Sequence, residues 1–203
     1  GESLRELTVV AGIDVGRQLH VNISSVSEDE EREQQVRKSI WVGTLSSFEQ
    51  LYDLLIRYSV NVAVIDSRPE VRKAQKLRDK CIHSGICEVW LAQFTSADRV
   101  GRAAYGMKPD FRRRVVNVER TQLLDATLDD MQVDPPRKIF NENVWRVKGW
   151  ADQMTAPKRR KSQHSDRFIW DEGNADDHFR FADSYERVAA DLHGRSGSYL
   201  GGD

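Results

Sequence analysis

Val9-Val10-Ala11-Gly12-Ile13-Asp14-Val15-Gly16 constrains this chain more than any other stretch. Every position but one is apolar or small, so it reads as a buried strand that ends by presenting a carboxylate. A charged side chain is seldom fully buried unless it is paired or holds a metal. Gly12 and Gly16 flank the acid, and glycine lets another backbone or a ligand come close. The stretch therefore requires a sheet around it and a partner for Asp14. An Asp at a strand end can also serve a turn by local hydrogen bonding, and that reading stands beside the first.

The following segments supply the sheet. Residues 7–15 and 19–26 read as two strands joined by a tight turn at Gly16-Arg17-Gln18, a hairpin. Residues 27–34, with Glu28-Asp29-Glu30-Glu31, read as a solvated turn, and 36–42 as a third strand. Ser46 or Ser47 caps a helix with Phe48, Leu51, Leu54, Leu55 and Tyr58 on one face. Residues 60–65 form a fourth strand, apolar enough to be buried on both faces, and Asp66 ends it. Pro69 suits the first turn of a helix over 69–82, with Val71, Ala74, Leu77 and Cys81 inward and Arg72, Lys73, Lys76 and Arg78 outward. Residues 86–91 read as a fifth strand, 112–118 as another with a basic entry, and 121–131 as a helix with Leu123, Leu124 and Leu128 inward. Residues 139–150 read as a hairpin, 156–166 as a basic loop, 168–170 as an apolar island, and 175–192 as the last helix. Trp145, Trp150 and Trp170 are read as core. The tail over 193–203 reads as disordered, and residues 1–7 as a tag scar or linker, since the sequence opens on Gly1. Strands interleaved with helices make this an α/β chain.

At 203 residues the chain is long enough for one domain with a full core. Its 31 basic and 32 acidic side chains give a net charge of -1, so any surface for nucleic acid must be a local patch. Candidates are Arg112-Arg113-Arg114, Lys158-Arg159-Arg160-Lys161, and Arg99 with Arg102. A merely solvated face is an equal reading of the Lys158 to Lys161 run. No apolar run approaches the roughly 20 residues of a membrane span. Cys81 and Cys87 are too few for a disulfide framework and lack metal-site spacing, so free thiols are expected.

The chemistry lies in the acids. If the first and fourth strands are parallel neighbours about 4.8 Å apart, Asp14 and Asp66 sit side by side at their carboxyl ends, where ligands of open α/β sheets gather. Two bare carboxylates repel, and a divalent cation between them removes the conflict. All-oxygen ligation favours Mg2+ or Mn2+. Asp66 ahead of Ser67-Arg68-Pro69 is equally good helix-capping chemistry. In the last helix, Phe181, Tyr185, Val188 and Leu192 share a face; Asp183 lies nearly opposite, which places it toward solvent. Asp176 and Asp177 read as caps that complement the helix dipole. His178 reads as a packed or capping side chain, a proton shuttle or a metal ligand.

Four stretches occur in order: the Asp14 strand; Val64-Ile65-Asp66-Ser67-Arg68-Pro69-Glu70; Val118-Glu119-Arg120-Thr121-Gln122-Leu123-Leu124-Asp125-Ala126-Thr127; and Asp177-His178-Phe179-Arg180-Phe181-Ala182-Asp183-Ser184-Tyr185. Together, over about residues 8–192, they resemble the C-terminal nuclease domain of tailed-phage large terminase subunits. The resemblance implies an RNase H-like fold, a mixed central sheet with helices on both faces. It implies that the catalytic and metal-binding acids are Asp14, Asp66 and Asp183, with His178, Asp177 and Asp176 as auxiliaries. It implies two divalent ions, Mg2+ or Mn2+, about 3.5–4 Å apart. The implied activity is cleavage of concatemeric double-stranded phage DNA, with little sequence preference, in the cytoplasm of an infected bacterium. The implied partners are an N-terminal ATPase domain of the same polypeptide, a portal protein and a small terminase subunit. This sequence has no Gly-x-x-x-x-Gly-Lys-[Ser/Thr] loop, so the motor's ATPase is not carried here. A Holliday-junction resolvase shares the fold and would prefer four-way junctions. A catalytically silent docking module of the motor is the non-enzymatic alternative.

Overall fold

The computed structural model describes residues 7–95, 104–162, 168–171 and 175–199, with side chains through 195. Three antiparallel strands open the chain: β1 (Thr8–Val15), β2 (Leu19–Asp29) and β3 (Gln34–Leu45). Then come α1 (Phe48–Arg57), β4 (Val62–Asp66), α2 (Val71–Ser84), β5 (Glu88–Thr95), β6 (Lys108–Asp110), β7 (Val115–Glu119) and α3 (Arg120–Gln132). The chain continues with β8 (Lys138–Ile139), α4 (Trp150–Thr155), β9 (Lys158–Lys161), β10 (Phe168–Asp171) and α5 (His178–Tyr199). Eight strands form one mixed sheet in the order β6-β7-β5-β4-β1-β2-β3-β8, and β9 and β10 pair separately. β4, β5 and β7 extend the sheet in parallel from β1. This antiparallel meander continued by parallel strands, with helices on both faces, is the RNase H-like arrangement.

Alternation along β1 sends its two sets of side chains to two cores. Val9, Ala11, Ile13 and Val15 join Leu51, Leu55, Ala74, Leu77 and Cys81 of α1 and α2. Val10 joins Val62, Val64, Trp90, Leu123, Leu124, Phe181, Tyr185 and Val188 on the face covered by α5 and α3. Gly12 and Asp14 belong to this second face. A Cβ on Gly12 would stand 2.0 Å from the Ala182 carbonyl oxygen and 2.1 Å from the Glu186 nitrogen. The absent side chain thus lets α5 lie directly on the central strand. The helix runs back along β1, since His178 is next to Gly16 while His193 reaches Thr8.

Several expectations need correction. Residues 139–150 form no hairpin: a 3-10 turn over Glu142–Arg146 leads into α4. The basic loop is in part a strand, β9, paired with β10. The last helix runs on to Tyr199, through the segment read as a disordered tail. β6 is a short edge strand without apolar alternation, and Arg112 to Arg114 form the turn between β6 and β7. Val71 is exposed, although Ala74, Leu77 and Cys81 are buried as expected. Trp150 and Trp170 are core, whereas Trp145 is 71% exposed. Cys81 and Cys87 are free, and burial pushes both thiols up, Cys81 to about 11. Among the described residues no helix is long and apolar enough to cross a membrane.

Candidate active site

The register decides how the two strand-end acids are placed. Gly12 pairs with Val64 and Ile13 with Ile65, so Asp14 and Asp66 leave adjacent parallel strands on the same face. Asp66 does not cap α2, whose N-cap is Glu70. Instead it accepts the Arg68 N–H at 2.9 Å and a hydrogen bond from the Tyr185 hydroxyl. Burial, with a further push from the Asp14 carboxylate, lifts its pKa to about 6, against the restraining Arg68 bond.

The N-terminal end of α5 completes the cluster. Asp177 is buried, and burial raises its pKa to about 6; Arg120 opposes the rise and Asp14 adds to it. The Arg120 guanidinium is 4.0 Å away, and one Asp177 carboxylate oxygen has no hydrogen-bond partner. His178 follows, its Nδ1 2.7 Å from Asp14 Oδ2. That bond raises the His178 pKa. Asp176, largely exposed, lies 3.9 Å from His178 Nε2. The neighbour that sequence reading missed is His20. It pairs with Asp14 across the β1–β2 hairpin and stacks on His178 at 4.6 Å between ring centroids. The signal was present: a turn centred on Arg17 puts residue 20 opposite residue 14.

Asp183 is elsewhere. Contrary to its periodicity it is 1% exposed, because α5 lies between the sheet on one side and α3 and α4 on the other. It accepts from Asn22 Nδ2 at 3.0 Å and pairs with Lys138 Nζ at 3.1 Å. Asn22 lies opposite Gly12, one pair of positions back from Asp14 and His20, roughly 6–7 Å along the strands. Asp183 therefore belongs to a buried ionic cluster with Lys138, Glu186, Arg37 and Asp130. Asp14 thus has Asp66, Asp177 and His178 as neighbours, while Asp183 sits in the buried ionic cluster.

The basic runs have unequal freedom. Arg159 pairs with Asp125 and Arg160 with Asp171, so part of the Lys158 to Lys161 charge is neutralised. Arg112 and Arg113 are exposed and, with Arg114, Arg78 and Ser67, line a cleft of about 450 Å3 beside α2. On the other side of α2, Arg17, Lys73, Lys76 and Lys80 line a cleft of about 650 Å3 that reaches Val15 and Gly16 at the end of β1. Among the described residues, Arg17, Arg72 and Lys76 have no carboxylate within ion-pairing distance. Arg99 and Arg102 lie outside the described residues.

No family model matches the sequence, and no curated protein matches it. Solved structures do match. The nuclease domain of the large terminase subunit gp2 of bacterial virus Sf6, determined with manganese and beta-thujaplicinol, superposes with a TM-score of 0.58 at 10% identity, covering 90% of this chain and 87% of that one. The same phage domain with calcium gives 0.56 at 12% identity, covering 90% and 88%. The large terminase of the thermophilic bacteriophage D6E gives 0.52 at 9% identity. The fold is that of a phage large terminase nuclease domain. This chain is covered to 92% by the D6E match but spans only 40% of that terminase.

The terminase-type fold sets a test for divalent metal at the acid cluster. The donors present fit one. Asp66 and Asp177 each feel the Asp14 charge, both are held in part against ionisation, and the buried Asp177 oxygen that faces Arg120 has no hydrogen-bond partner. Each is what a bound cation would relieve.

Proposed function

We propose that this chain is the nuclease domain of a viral DNA-packaging motor, a metal-dependent endonuclease that cuts double-stranded DNA. The observation that carries the proposal is the meeting of Asp14 and Asp66 at the carboxyl ends of adjacent parallel strands, with Asp177 close enough for the Asp14 charge to raise its pKa. Asp177 is taken in place of Asp183 as the third acid, because Asp183 Oδ1 is engaged by Lys138 and Asn22 inside the buried ionic cluster, whereas Asp177 lies close enough to Asp14 for that charge to raise its pKa. Divalent ions bound by the three carboxylates would lower the pKa of an attacking water and balance charge on the leaving 3′ oxygen. The chain's own part is geometry. Arg68 N–H and the Tyr185 hydroxyl fix the Asp66 carboxylate, His178 fixes Asp14, and Arg120 stands beside Asp177.

DNA would be held through its phosphates, with little sequence preference. The clefts on either side of α2 support this better than β9, since Arg17, Lys76 and Arg112 are exposed beside the end of the sheet. The proposed setting is cleavage of concatemeric phage DNA, with an N-terminal ATPase domain, a portal protein and a small terminase subunit as partners. The test is plasmid nicking in Mn2+ and in Mg2+, with EDTA and with metal re-added. Nicking that EDTA abolishes and metal restores supports the proposal. Intact plasmid under every metal condition, from protein that binds Mn2+, would leave a silent docking module as the reading.

A further inference from the structure

We propose that the metal centre of this chain includes two imidazoles, His20 and His178, and therefore selects a first-row transition ion such as Mn2+ over Mg2+. This rests on the nuclease reading only for the location of the metal, and the donor set is argued from geometry.

A carboxylate oxygen of Asp14 and one ring nitrogen from each of His20 and His178 lie within 4.8 Å of one another, close enough to share one ion. The three arrive from different elements. Asp14 ends β1, His20 begins β2 opposite it, and His178 opens α5. The hairpin register fixes the first two, and the close approach of α5 at Gly12 fixes the third.

His20 supplies the independent observation. It is only 7% exposed, and its Nδ1 is buried with no hydrogen-bond partner. A buried, unsatisfied polar atom costs about 1–3 kcal/mol, and an apolar residue would pack against His178 and Phe179 without that cost. Even with a ring bond to the Gln18 backbone, Nδ1 is left as a buried nitrogen without a partner, in a pocket that also holds the Asp14 carboxylate. Packing alone accounts for the stacked rings, but not for the nitrogen. Glycine at position 16 leaves room beside His178, since a Cβ there would approach its Cε1 to 3.2 Å.

The donor set has a consequence for selectivity. Mg2+ demands near-ideal octahedral oxygen ligation and gives up water reluctantly. Imidazole nitrogen suits transition ions better. A site of carboxylates alone would treat Mg2+ and Mn2+ more evenly than a site with two imidazoles.

The test reads metal binding, not cleavage. Wild type, His20→Asn, His20→Gln and His178→Asn are titrated with Mn2+ and, separately, with Mg2+, by calorimetry. Pulsed electron paramagnetic resonance of the Mn2+-loaded proteins then reports 14N coupling. Wild type is expected to bind Mn2+ at least tenfold more tightly than Mg2+ and to show imidazole nitrogen coupling. Each His20 variant is expected to lose about tenfold or more in Mn2+ affinity, to change little toward Mg2+, and to show reduced coupling. Circular dichroism checks folding, and the two His20 variants guard against one failing for structural reasons. Equal Mn2+ affinity in wild type and both folded His20 variants, or no 14N coupling in wild type, would overturn the proposal. Mn2+ binding with nitrogen coupling but no cleavage would instead sink the nuclease reading and leave the site standing.

Discussion

Replacing Asp66 with Asn is expected to stabilise the metal-free protein at neutral pH while stripping the site of metal affinity. The fold holds this carboxyl at about 6 against an ordinary 3.8, chiefly through burial and then through Asp14. The folded chain therefore binds the proton more tightly than the unfolded chain. Between about pH 4 and 6 it carries more protons, so stability falls as pH rises through that window and stays reduced above it. At ~1.4 kcal/mol per pKa unit, the rise from 3.8 to about 6 corresponds to ~3 kcal/mol. Partial exposure screens the charge, and ~1–2 kcal/mol is the expected effect. For a domain of this size that is about 2–8 °C in Tm. Asn still accepts the Arg68 N–H, so the local turn survives. Asp177→Asn follows the same reasoning, since its carboxyl is also lifted to about 6. The assay is thermal unfolding in EDTA from pH 4 to 8, followed by circular dichroism. Both variants should match wild type near pH 4 and exceed it at pH 7–8. His178, whose pKa Asp14 raises above 6.5, adds its own loss of stability at higher pH, so variants are compared at each pH and not along one curve. Added Mn2+ should reverse the order by stabilising wild type alone. Asn variants no more stable than wild type at pH 8 in EDTA would refute the reasoning.

Three further substitutions probe the frame and the surface. Gly12→Ala drives a methyl into the backbone of α5 at 2.0 Å, where no rotamer can yield; a loss upwards of ~3 kcal/mol in urea denaturation is expected, and a loss under ~1 kcal/mol would contradict the close approach. Lys138→Met leaves Asp183 and Glu186 buried with less compensating charge and is expected to cost about 3–5 kcal/mol; adding Glu186→Gln should recover part of it. Arg17→Glu with Lys76→Glu is expected to weaken DNA binding about tenfold or more in anisotropy titrations with Ca2+, and to lower the salt slope by ~2. Arg160→Glu, whose guanidinium already pairs with Asp171, should do less, and an equal effect would argue against the α2 clefts as the DNA track.

The sheet was legible because its strands carry strong patterns. The runs ending at Asp14 and Asp66 are apolar throughout, and their pairing follows once the chain order is read as meander, helix, strand. Ser47 does cap α1, accepting from the Gln50 N–H. The short polar strands were not legible. β6, β8 and β9 draw their order from a neighbouring strand, not from buried alternation, so Lys158 to Lys161 looked like a loop. The last helix misled for a different reason. A helical wheel assumes one wet face, and α5 is covered on nearly every side, so Asp183 is buried through an ion pair with Lys138, a residue 45 positions earlier that no periodicity could link to it. Asp177, read as a dipole-complementing cap, owes its place near Asp14 to a tertiary fact, that α5 begins above the end of β1.

Whether Asp177, just ahead of α5, or Asp183 within it joins Asp14 and Asp66 is settled most directly by comparing Asp177→Asn and Asp183→Asn for plasmid nicking in Mn2+, with folding of both verified by circular dichroism. The expected result is loss of nicking in Asp177→Asn, by about a hundredfold or more, and retention within about tenfold in Asp183→Asn. Full nicking by Asp177→Asn, with loss confined to a folded Asp183→Asn, would contradict the three-acid site proposed here.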